Sequence, residues 1–278
     1  NGEVGSGGGG SGGGGLIVMV YHTYTNSGTV SVAGGTAGTN YGWRHTLNLS
    51  NAIINLGTSA TSYTCSSSGP PVSGNLYLVA VHNQKGSATD TPTLTGTNGW
   101  NVTWTQIRTQ GYNTTSTTLG RLTVFRGVPS SGTAGTLTAS FGGNTQTGCQ
   151  MLILQVPNIN QTTNQGVVQS VVNAPASSTS SASGTLSAFS SSKNFAIGFV
   201  CNKITVANIT APTNNIGILE INVSTTGSLE CAYLNYEEDS CTWTQTNSLS
   251  ANFLCELAGN DTDDAVAGST GTIVQYQV

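Results

Sequence analysis

The side chains able to do chemistry are few and scattered: eleven carboxylates, three histidines and six cysteines in 278 residues. Six of the carboxylates fall in two clusters, Glu237-Glu238-Asp239 and Asp261-Thr-Asp263-Asp264. Closely spaced Asp oxygens suit a hard cation, which makes Asp261, Asp263 and Asp264 a candidate calcium site. The run lacks the glycine and distal Glu of an EF-hand loop. A glycosidase would need two carboxyl groups held a few ångströms apart. The plainer reading of both clusters is a solvated turn between strands, and no cofactor other than calcium is expected.

His22, His45 and His82 lie at no metal-ligand spacing from one another and in no nucleophile motif. His82 closes an apolar run and reads as a strand-edge residue. No G-x-S-x-G elbow occurs, and abundant serine without a paired base is no triad. The expectation is a protein that is not an enzyme, with no catalytic residues. Cys65, Cys149, Cys201, Cys231, Cys241 and Cys255 show no C-x-x-C pair. Most sit in or beside apolar strands and read as small buried hydrophobes. If disulfides form, Cys231–Cys241 across a hairpin is the first pair to test. Trp100 follows the turn signal Asn98-Gly99. It is the candidate for a glycan-stacking side chain on a loop tip, against the alternative of a core or interface tryptophan.

The elements that would position these residues are strands. Thr (42), Ser (32), Asn (26) and Gly (37) make up nearly half the chain, and all are poor helix formers. Charged residues are 6% and the net charge is −4, so seven Lys+Arg offer no basic patch for nucleic acid. The longest clean apolar runs, Leu16 to Tyr21 and Leu76 to Val81, are too short to span a membrane as a helix. With 36% hydrophobic residues and little net charge, a packed core is within reach and disorder is disfavoured. Apolar residues come in short clusters separated by Gly, Asn and Ser turns, the pattern of a sandwich or barrel. Such a surface is mostly hydroxyl and amide, so its contacts should depend little on salt.

Internal comparison divides the chain into two similar halves. Asn75-LYLVAVHN-Asn83 aligns with Asn194-FAIGFVCN-Asn202. Around these landmarks Ala52–Leu56 corresponds to Val167–Val172, and Trp104–Ile107 to Ile216–Ile221. Leu122–Phe125 corresponds to Leu229–Leu234, and Met151–Val156 to Asn252–Leu257. The repeated Thr-Trp-Thr-Gln at 103–106 and 242–245 stands at different distances from the landmark and is read as coincidence. Two four-stranded halves, about 48–160 and 166–278, then predict an all-β, antiparallel, jelly-roll-like sandwich over 48–278. Thr272–Tyr276 would be its last strand. Residues 1–35 read as a Gly-rich arm or solenoid-like segment, and 36–47 as a linker. The run SGGGGSGGGG at 6–15 also fits a synthetic linker.

Two stretches carry a resemblance. Asn26-Ser-Gly-Thr-Val-Ser-Val-Ala-Gly-Gly35 resembles the glycine-rich repeats of tailed-phage tail and fibre proteins. Gly120-Arg-Leu-Thr-Val-Phe-Arg126 and Phe141-Gly-Gly-Asn-Thr-Gln-Thr-Gly148 resemble the β-sandwich modules of tailed-phage virion proteins. The resemblance implies a structural protein on the virion surface, of capsid-decoration or tail-fibre type. Its partners would be other virion proteins and copies of itself, as a homotrimer by analogy. The alternatives are a glycan- or receptor-binding adhesin module and a subunit of a cellular extracellular filament or surface layer. Neither nucleic acid nor membrane is an expected partner.

Overall fold

The computed structural model describes residues 16–21, 48–55, 59–85, 90–112, 119–130, 132–157, 159–162, 164–191, 193–202, 209–210, 215–223, 227–234, 238–260 and 272–277. Strands are numbered in chain order. β1 is Leu16–Tyr21, and β17 is Thr272–Gln277. The first half contributes β2 (Asn48–Asn55), β3 (Ser62–Ser68), β4 (Leu76–Lys85) and β5 (Thr93–Gly96), followed by β6 (Thr105–Tyr112), β7 (Leu119–Gly127), β8 (Gly135–Ser140) and β9 (Gly148–Val156). The second contributes β10 (Val167–Asn173), β11 (Thr179–Thr185), β12 (Phe195–Asn202) and β13 (Asn215–Val223), then β14 (Gly227–Leu234), β15 (Ser240–Ser248) and β16 (Ser250–Leu257). The described residues are thus predominantly strand, in several antiparallel sheets, as the composition predicts.

Each half builds a large inner sheet and a small outer one. The inner sheets run β2-β9-β4-β7-β6 and β10-β16-β12-β14-β13. The outer sheets run β3-β8-β5 and β11-β15. A single bridge from Thr210 to Thr244 on β15 stands where β5 stands in the first half. Element for element, the two strand orders are the same. The five landmark segments that align between the halves are the five strands of each inner sheet.

The apolar runs explain how these sheets stack. On β4, Leu76, Leu78 and Ala80 face a central core that also holds Phe195, Ile197, Phe199, Leu229 and Phe253 from the second half. The alternate residues Tyr77, Val79 and Val81 face a separate core under β3, β8 and β5, with Leu137, Ala139 and Trp100. On β12, Ala196 and Val200 likewise pack under β11 and β15, with Ala182 and Trp243. Both faces of an inner strand are dry, so its sequence is a continuous apolar run rather than an alternation. β15 has one solvated face and does alternate, buried at Cys241, Trp243 and Gln245 and exposed at Thr242, Thr244 and Thr246. The sequence pattern suggested one sandwich shared by two four-stranded halves. Instead each half holds two layers of its own, and the inner layers pack on each other.

A second compact unit comprises 1–44 with 261–278. Its described strands, β1 and β17, pair in parallel from Leu16 opposite Thr272 to Tyr21 opposite Gln277. The expected C-terminal strand therefore exists, but its partner is β1 rather than a strand of the sandwich. The remainder of the Gly-rich segment and the 36–47 linker lie outside the described residues.

Candidate functional site

The candidate calcium ligands Asp261, Asp263 and Asp264 lie outside the described residues, as do His22 and His45. Among the described residues, no cluster of three or more His, Cys, Asp or Glu is placed to hold a metal. No helix there is long and apolar enough to cross a membrane.

Trp100 requires a correction. Asn98 adopts the left-handed conformation (φ 52°), as the turn signal predicts, but the turn folds inward. Trp100 is 0% exposed. Its indole N–H donates to the Gly69 carbonyl at 3.0 Å, and its ring meets Tyr77 edge-on at 5.0 Å. A fully covered ring offers no face to a sugar, so Trp100 is a core tryptophan. Trp100→Ala is expected to cost about 3–5 kcal/mol of stability in urea unfolding, the usual range for truncating a buried large aromatic.

The cysteines follow the buried-hydrophobe reading. All six are buried and none is in a disulfide. Cys231 points into the central core and Cys241 into the outer core of the second half. An inner sheet separates the two, so they cannot be bridged. Burial pushes the thiols of Cys149, Cys201, Cys231 and Cys255 well above the ordinary thiol range, which makes them poor nucleophiles.

His82 is not at a strand edge. It sits on β4, between β9 and β7, with its ring on the central face. Its Nδ1 lies 2.6 Å from Gln150 Oε1 and its Nε2 2.7 Å from the Tyr112 hydroxyl. Gln150 Nε2 donates to the Gly227 carbonyl of the second half at 2.8 Å. That bond fixes the Gln150 amide, so its oxygen faces the ring and His82 must donate from Nδ1. Nε2 then accepts from the Tyr112 hydroxyl. The group is a polar seam tying one half to the other beside the apolar central core. Burial is the largest influence on His82 and holds its pKa down at about 4, against a smaller upward pull from Gln150. At 0% exposure the imidazole is enclosed between the two inner sheets, where it helps position the halves.

Three further polar groups lie in the interior, of which the sequence marks only the two asparagines, as alignment landmarks without a role. Glu256 is fully buried on β16. One carboxylate oxygen accepts from Gln169 Nε2 at 2.6 Å, and the other from the Ser190 amide at 3.2 Å and Asn194 Nδ2 at 2.5 Å. It anchors the turn between β11 and β12. Asn83 donates to Gln146 at 2.8 Å, and its counterpart Asn202 donates to Gln245 at 3.2 Å. The landmark asparagines of the internal alignment thus mark one repeated amide pair. The two Thr-Trp-Thr-Gln segments fall on different elements, Trp104 just before β6 and Trp243 on β15.

What these features define, among the described residues, is an all-β protein of stacked, mainly antiparallel sheets with few charged residues. No family model, curated protein or solved structure matches the chain.

Proposed function

We propose that the protein is a structural component of a virus particle's outer surface, of the decoration or fibre type found in tailed phages. It would stabilise the assembly by packing against other virion proteins and against copies of itself, as a homotrimer. The observation that carries this reading is the character of the outer layers. Thr64 and Thr138 pair hydroxyl to hydroxyl at 2.8 Å across β3 and β8, and Thr97 and Thr136 pair at 3.0 Å beside them. Cross-strand threonine pairs of this kind make a stiff, neutral face. Such a face suits permanent contact in salt better than capture of a charged partner. The strand order of the first half supports a jelly-roll-like assignment: its first, eighth, third and sixth strands lie side by side and its second, seventh and fourth form the facing layer, although the fifth joins the sixth rather than the fourth. The second half repeats this order with seven strands, the bridge from Thr210 to Thr244 standing in place of the fourth.

The test is imaging of intact particles together with light scattering of the purified chain. Trimers that survive high salt, and density for this chain at a symmetric surface position, are the expected results. A monomer in solution and no place on the particle would overturn the reading.

A further inference from the structure

We propose that the groove between the edge strands β6 and β10 binds a single small oxyanion, such as the carboxylate of an acidic sugar or a phosphate ester. The groove lies at the rim of the interface between the two inner sheets and has a volume of about 220 Å³. Gln106, Arg108, Arg126 and Asn164 line it, and no carboxylate does among the described residues. Only seven Lys and Arg occur in the chain, and two of them meet here.

Arg126 stands at the same strand parity on β7 as Leu122 and Val124, which face the central core. Its Nε–H is buried and has no hydrogen-bond partner among the described residues. Burial also pulls the guanidinium pKa downward, so a bound anion would offset a cost that the fold otherwise carries. Arg108 reaches over from β6 and donates from Nη2 to the Ser170 carbonyl on β10 at 3.3 Å. That bond orients the fork while its other N–H groups remain for a ligand. An Arg fork matches planar carboxylates and tetrahedral phosphates by paired hydrogen bonds.

The opposite wall is held in an uncommon conformation. Asn164, Gln165 and Gly166 have φ of 46°, 51° and 91°, three consecutive left-handed residues. Non-glycine residues rarely adopt it, and strain of this kind concentrates at sites that must be held in place. The volume is below that of a site for a drug-sized molecule, which fits one charged group rather than an extended chain. The inference rests on the groove alone and stands apart from the virion reading.

The experiment is a titration of the whole protein with glucuronate, glucose and inorganic phosphate, followed by NMR. The readouts are the Arg126 Nε–H resonance and the backbone amides of 164–167. Saturable shifts with glucuronate or phosphate, weaker at high salt, and none with glucose are expected. Preference for glucuronate identifies an acidic sugar as the source of the anion, and preference for phosphate identifies a phosphate ester. Arg126→Met should weaken binding at least about tenfold, the effect of losing a charged hydrogen bond. Arg108→Gln, at an exposed position, gives the same reading if Arg126→Met does not fold. No saturable shift with either anion at millimolar concentration would overturn the proposal. So would anion binding unchanged in the variants, or glucose binding as well as glucuronate.

Discussion

Acidification from pH 7 to below pH 4 is expected to remove about 3 kcal/mol of stability through His82 alone. The folded protein holds His82 neutral with a pKa of about 4, whereas the unfolded chain has the ordinary value near 6.5. Between those values the unfolded state binds a proton that the folded state refuses. Stability is therefore complete above about pH 6.5 and falls as pH drops through about 4. Urea unfolding at several pH values measures the slope directly. His82→Gln should flatten that slope across this window, whatever it does to stability at pH 7. An unaltered slope in the variant would assign the acid sensitivity to other groups.

Gly198→Val is expected to cost about 3 kcal/mol, at the upper end for overpacking a core. A Cβ at Gly198 would lie 2.5 Å from Trp243 Cη2 and 2.7 Å from Cζ2, both atoms of a rigid ring. Trp243, on the inward face of β15, is fully buried and packs with Ala182, Ala196, Val200 and Leu254. The corresponding position on β4 is Val79, where the outer core is filled instead by Trp100 and Tyr77. The two halves thus exchange a large residue on the outer layer against a small one on the inner layer. Gly198→Val combined with Trp243→Leu should recover part of the loss, giving a coupling of at least about 1 kcal/mol in a double-mutant cycle. Purely additive losses would mean that the two side chains do not share the space.

The inner sheets were legible in the sequence because double-sided burial writes long apolar runs. Leu76 to Val81 and Phe195 to Cys201 could be read as strands and aligned with each other without a structure. The outer strands were not legible. Thr179–Thr185 is TSSASGT and buries little beyond Ala182, so its composition is that of a loop. Without those strands each half reads as a single layer, and one sandwich shared by the two halves follows. Trp100 was misplaced for a related reason: Asn98-Gly99 correctly announces a turn, but nothing local says whether a turn points outward or inward. His82 and Glu256 each sit inside apolar runs. Their partners, Gln150 and Tyr112 for one and Gln169 and Asn194 for the other, are brought in by pairing far along the chain. The Arg108–Arg126 groove is set by how two sheets meet, which no local pattern encodes.

Across the central core, β6 packs on β10 and β13 packs on β2. In terms of the repeat, the fifth element of each half meets the first element of the other, the reciprocal contact pattern of an isologous dimer. The molecule is in effect two protomers written on one strand of polypeptide. The tether makes their union unimolecular, so it cannot be weakened by dilution as a two-chain complex would be. A polypeptide cut near residue 160 would lose that advantage and leave each fragment with a wet, greasy sheet.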